Sequence, residues 1–137
     1  MIVRTTPDRI ANLVENQIFV FGSNLSGRHG KGAAKTAMRW GAKYGQAEGL
    51  QGQTYAIPTK DRSVKNTLST QEIKGYTNTF IEFARSHKNL TFLVTEIGCG
   101  LAGYTPVEIA PLFEKAKTIE NIWLPERFWQ ILESNEI

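Results

Sequence analysis

The side chains best suited to chemistry lie in three segments. The first is Asn24-Leu25-Ser26-Gly27-Arg28-His29-Gly30-Lys31-Gly32-Ala33-Ala34. The apolar run Ile18-Phe19-Val20-Phe21 feeds into it, and a helical pattern leaves it through Ala34, Ala37, Met38 and Trp40. Glycine has no Cβ, so backbone N–H groups in such a loop can approach an anion closely. A helix N-terminus beyond the loop adds unpaired N–H donors and partial positive charge. The second segment, Ile97-Gly98-Cys99-Gly100-Leu101-Ala102-Gly103, ends the apolar run Leu90–Ile97. A nest of successive N–H groups there offers the same kind of donor. The third, Tyr55-Ala56-Ile57-Pro58-Thr59-Lys60-Asp61, brings an amine to the end of another strand-like run. Two such glycine loops at strand ends could grip one diphosphate from two sides, with Lys60 projecting toward it. The alternatives are two tight turns without a ligand and a solvated loop lysine.

Further groups cluster in the same segments. Arg28 and Lys31 are cations able to neutralise phosphate. His29 could move a proton or simply bond phosphate or solvent. Cys99 has no His near it in sequence, and a tight turn by itself explains a small residue. Asp61, Glu96 and Glu108 are candidate general bases. Tyr104, just past the second loop, is placed to meet a bound sugar or phosphate.

The elements that must position these groups alternate. Ile2 to Arg4 reads as a short edge strand, and Pro7 to Glu15 as one or two helical turns stopped by Asn16. Core strands are expected over Gln17–Gly22, Thr54–Pro58, Leu90–Ile97 and Asn121–Leu124, from continuous apolar residues. Helices are expected over Gly32–Tyr44, closed by Gly45, over Ser69/Thr70–Ser86, over Pro106–Lys117 with Pro106 at N1, and over Glu126–Glu133. Ser69 and Glu72 have capping-box spacing. Glu48–Gln53 reads as a polar loop and Lys60–Thr67 as a longer, mobile one. Trp40, Trp123 and Phe80 read as core. This alternation predicts right-handed βαβ crossovers and a largely parallel sheet.

The totals narrow the class. A chain of 137 residues with 41% hydrophobic and 21% charged residues fits one globular domain spanning 1–137. A net charge of +3 mildly favours anionic ligands, without the dense Lys/Arg runs expected of a long nucleic-acid stripe. One Cys and two His leave no internal disulfide and no Cys/His zinc site. No 18-residue apolar run and no signal-peptide core are present, so no membrane partner and a cytoplasmic location are expected.

Together the three segments resemble the macro domain, an ADP-ribose-binding α/β module. The likeness is to the branch holding DNA ADP-ribosyl glycohydrolase antitoxins and terminal ADP-ribose glycohydrolases. It rests on Asn-x-x-Gly-x-x-Gly-Lys-Gly-x-Ala at Asn24 to Ala34, on Pro58-Thr59-Lys60 and on Gly98-Cys99-Gly100-Leu101, over about residues 17 to 125. The resemblance implies a three-layer α-β-α fold with a mixed, mostly parallel sheet and helices on both faces. It implies ADP-ribose, or an ADP-ribosylated nucleic acid or protein, as ligand, and no cofactor or metal. It makes Lys60 a candidate catalytic residue and Asn24 a candidate for positioning the distal ribose. Arg28, His29, Gly30, Lys31, Gly32, Ala33, Gly98, Cys99, Gly100, Leu101, Ala102, Gly103 and Tyr104 become candidate ligand contacts. Phe128 or Trp129 could cover the adenine, and no acidic residue stands out for its amino group. Ala102 stands where the terminal glycohydrolases carry an Asp, which the antitoxin-like members also lack. Cleavage of the ADP-ribosyl bond, binding without turnover, and removal of a terminal phosphate from an ADP-ribose derivative all stay open. So does an unrelated Rossmann-like binder that merely shares glycine loops.

Overall fold

The computed structural model describes residues 4–134. Ile2 and Val3, part of the expected first strand, lie outside them. Six strands form one sheet: β1 (Thr5–Thr6), β2 (Gln17–Asn24), β3 (Gly49–Gln51), β4 (Thr54–Lys60), β5 (Thr91–Val94) and β6 (Ile122–Pro125). Their order is β1-β6-β5-β2-β4-β3, and every pair is parallel except the β3–β4 hairpin. The strand order reverses at β2, which has β4 on one side and β5 on the other. In open α/β sheets, that is where a crevice forms beyond the carboxyl ends of the strands.

Alternation along β2 sends its side chains to opposite faces. Ile18 and Val20 join the larger core with Tyr55, Ile57, Ile73, Phe80, Phe92, Val94, Phe113 and Phe128. Phe19 and Phe21 join a smaller cluster with Ala34, Ala37, Ala42 and Ala56. Helix α2 (Thr70–Arg85) packs into the larger core through Ile73, Phe80, Ile81 and Ala84. Its expected capping box is present: Ser69 Oγ accepts from Glu72 N, and a Glu72 carboxylate oxygen accepts from Ser69 N, both at 3.1 Å. Phe128 and Trp129 of α4 (Glu126–Ser134) are buried in that core. The Trp129 indole donates to Arg4 O at 2.8 Å, so neither ring is free to cover a base.

Several expectations need correction. Residues 7–14 are irregular, not helical, and a turn at Glu15-Asn16 enters β2. The helix after the first loop is short: α1 (Gly32–Ala37) tightens into a 3-10 turn at Met38–Trp40 and stops at Gly41, with φ 106°, before Gly45. Likewise α3 (Pro106–Ile109) passes into a 3-10 helix over Ala110–Thr118, with Pro111 near the junction. A proline in the continuation has no N–H for an α-helical bond, which favours the change of pitch. The expected polar loop at Glu48–Gln53 holds β3, because Leu50 and Gln51 pair with Tyr55 and Thr54 across the turn at Gly52. The segment 61–66 is tied down at its base, where Lys60 pairs with Thr67 and Leu68 N donates to Thr59 O at 2.8 Å. No described helix is long and apolar enough to cross a membrane.

Candidate functional site

Strand pairing opens the crevice. Strands β2 and β5 stay paired only as far as Val20 and Val94, whereas β2 runs on to Asn24 against β4. Thr95 makes the last bond between them, its N and Oγ1 both donating to Val20 O, and the chain then turns through Ile97 and Gly98. A register shift between Ser23 and Asn24 sets Asn24 opposite Lys60. Leu25 N donates to Lys60 O at 2.9 Å, holding the first loop against the end of β4.

The three segments therefore meet. A cleft of about 660 Å³ is lined by Asn24, Arg28, Gly30, Lys31, Gly32 and Ala33 from the first loop, by Thr59, Lys60 and Val64, and by Gly98, Gly100, Leu101 and Ala102 from the second loop. The two loops come into reach of one another: a Cβ built on Gly32, whose φ is +60°, would lie 3.4 Å from Leu101 Cδ1. Gly22 and Gly98 make the floor equally close, a Cβ on Gly22 falling 3.6 Å from Gly98 N. The helix following the first loop starts at Gly32 without a side-chain cap and without an acidic residue in its first turn, leaving donors there unspent.

Side chains in the cleft have distinct duties. Asn24 is only 6% exposed, and its amide is committed to the loop. Nδ2 donates to Arg28 O at 2.9 Å, while Oδ1 accepts from Ser26 Oγ and Arg28 N, each at 2.9 Å. Asn24 thus shapes the cradle. Lys60 is half-buried, and its amine has no ion pair or hydrogen bond among the described residues. Arg28 and Lys31 are exposed at the rim.

Other expected contacts lie elsewhere. His29 is 3% exposed and does not line the cleft. It is packed edge-on to Phe21 at 5.3 Å and to Tyr44 at 6.5 Å, with both ring nitrogens unpartnered among the described residues. Cys99 turns away and donates weakly to Ile97 O. Burial pushes its thiol up to about 11, with the Glu96 carboxylate adding to the effect, which disfavours the thiolate a nucleophile needs. Gly103, with φ +88°, closes the turn behind the cleft. Tyr104 spends its hydroxyl on Leu68 O at 2.7 Å. The three carboxylates are occupied too. Asp61 binds Ser63 and Asn66, Glu108 caps Thr105, and Glu96 meets Arg127 through both oxygens. Hydrogen bonds from Ser63 and Asn66 hold the Asp61 carboxyl below its ordinary range.

A second cleft, about 950 Å³, adjoins the first and shares Ala33, Thr95 and Glu96 with it. Its wall includes Thr6, Asp8, Ile10, Phe19, Arg39 and Arg127. Thr6 Oγ1 is buried there without a partner among the described residues. Asp8, in the irregular segment that follows β1, is an acidic residue of this wall that the sequence does not single out. No described group of three or more His, Cys, Asp or Glu side chains could hold a metal ion. Comparison with protein-family models, with characterised proteins and with solved structures finds no match to this chain.

Proposed function

We propose that this protein binds ADP-ribose or an ADP-ribosyl group as a macro domain does, and that Lys60 takes part in cleaving the ADP-ribosyl bond. The three-layer α-β-α arrangement belongs to the same reading. The observation that carries it is the convergence of two glycine loops on one cleft beside an unpaired lysine. The diphosphate lies between Gly30–Ala33 and Gly98–Ala102, where backbone N–H groups and the Arg28 and Lys31 cations meet its charge. The nucleoside half extends into the adjoining cleft, where Asp8 can accept from an adenine amino group. The terminal ribose lies toward Lys60.

In this arrangement the neutral amine of Lys60 bonds to the anomeric carbon as the bond to the carrier breaks, through a transition state of oxocarbenium character. The carrier leaves with the electron pair and takes the proton that the newly alkylated Lys60 nitrogen sheds; water then bonds to the same carbon as the C–N bond breaks, one of its protons returning to the Lys60 amine and the sugar leaving with the hydroxyl. Binding without turnover is the second reading. The pairing of Glu96 with Arg127 through both oxygens favours it, because Glu96 is the one carboxylate that lines this cleft among the described residues. A carrier of nucleic acid or protein and a cytoplasmic setting fit either reading.

Calorimetry with ADP-ribose, ADP, AMP and NAD tests the site. ADP-ribose is expected to bind at least about tenfold more tightly than AMP, or ~1.4 kcal/mol. Equal affinities defeat the reading. With ADP-ribosylated DNA and protein as substrates, Lys60→Ala should abolish release of ADP-ribose while leaving its affinity within about tenfold. Undiminished turnover removes Lys60 from the chemistry, and no turnover in the native protein leaves the binding module.

A further inference from the structure

Val64 lines the cleft close in sequence to Lys60 and has a backbone φ of +65°. Asn16 is the other described non-glycine residue with positive φ. Asparagine tolerates that region, whereas a β-branched residue there is a true outlier. Such strain persists where the surroundings over-determine it, and it concentrates at ligand sites.

The surroundings here do so. The Asp61 carboxylate accepts from Ser63 Oγ at 2.6 Å and from Asn66 Nδ2 at 2.9 Å. Asp61 N donates to Asn66 O at 2.9 Å, and Val64 N to Asp61 O at 3.1 Å. Thr67 Oγ1 donates to Ala102 O at 2.7 Å, and Tyr104 Oη to Leu68 O at 2.7 Å, so this loop and the second glycine loop form one stapled wall. Every one of these bonds would survive with glycine or asparagine at position 64, and either would relieve the backbone. The turn therefore does not call for valine. What valine adds is a branched carbon surface on the same wall as Leu101, which is 65% exposed and lines the same cleft.

We infer that Val64 is a specificity-determining contact: it packs the C–H face of the ligand's terminal ribose and so holds the anomeric carbon toward Lys60. This rests on the ADP-ribose reading above. A free ADP, which ends at the second phosphate, lacks the group that Val64 touches. Discrimination between ADP-ribose and ADP is thus the property this residue controls.

The experiment is calorimetry of the full chain with ADP-ribose and with ADP, beside thermal unfolding, for wild type, Val64→Gly and Val64→Ala. Val64→Gly should weaken ADP-ribose about tenfold and leave ADP within about twofold, while relief of strain raises Tm by about 3–6 °C. Val64→Ala keeps a side chain that dislikes positive φ, so it should lose the same affinity without that gain in Tm. Unchanged ADP-ribose affinity in both variants, or equal weakening of both ligands, overturns the inference. A wild-type protein that binds both ligands equally also overturns it but leaves the diphosphate site standing. A wild-type protein that binds neither removes the ADP-ribose reading, and this inference with it.

Discussion

Replacing Asn24 by alanine separates two roles for that side chain. If it shapes the first loop, its loss is paid in stability. The amide makes three hydrogen bonds, at 2.9 Å each, to Arg28 O, Arg28 N and Ser26 Oγ. Each contributes about 0.5–1.5 kcal/mol net, and more where the abandoned partner cannot reach water. Arg28 is exposed, so water can satisfy part of what the amide leaves behind. The expected loss is therefore about 2–3 kcal/mol. A chain of this length has a total stability of roughly 7–20 kcal/mol, so the variant still folds. Its Tm should fall by about 6–12 °C. Urea unfolding followed by tryptophan fluorescence measures the loss directly, with an unchanged m-value showing that the same surface is exposed. ADP-ribose should bind more weakly as well, because the ligand must then order a loosened loop. A variant with the wild-type urea midpoint that has nonetheless lost binding or turnover would refute this reasoning. It would show Asn24 acting on the ligand and not on its own loop.

Gly32→Val should abolish ADP-ribose binding, because the new side chain both meets Leu101 across the cleft and sits at φ +60°; calorimetry showing near-native affinity would mean that the backbone there does not face the ligand. Stability should fall at alkaline pH. Cys99 is pushed up to about 11 and Tyr55 to about 12, chiefly by burial. Above about pH 9 the unfolded chain releases protons that the folded chain retains, so stability is full below that pH and declines as pH rises through 11. Urea midpoints at pH 8 and 10.5 measure the decline, and Cys99→Ala should flatten its first part; an identical slope in that variant would remove Cys99 from the cause. Iodoacetamide should accordingly modify native Cys99 much more slowly than the unfolded chain at pH 8, since only about one thiol in a thousand is ionised in the native protein there.

Local chemistry explains what could be read in advance. Strand β2, helix α2 and its capping box follow from continuous or periodic apolar residues and from a Ser–Glu pair at fixed spacing. The glycine loops were visible because glycine marks close backbone approach, and both lie at strand ends facing one cleft. The hairpin strand β3 was hidden, since it is three residues long, begins at Gly49 and abuts the turn at Gly52, and only pairing with β4 makes it a strand. The 3-10 segments were hidden for a related reason. Apolar spacing marks which side is buried, but not the pitch at which the backbone turns.

Side-chain duties were the least legible part. From sequence, Asn24, His29, Cys99 and Tyr104 all look like polar groups beside a ligand. In the folded chain Asn24 binds its own loop, His29 packs edge-on to Phe21, Cys99 faces inward and Tyr104 clasps Leu68. A motif records residue type and spacing along the chain, and these specify that backbone amides can approach an anion. The direction of each side chain, and the meeting of Val64 and Lys60 with glycine loops far from them in the chain, depend on which strands pair and where they part. That is settled by long-range packing, which no local pattern contains.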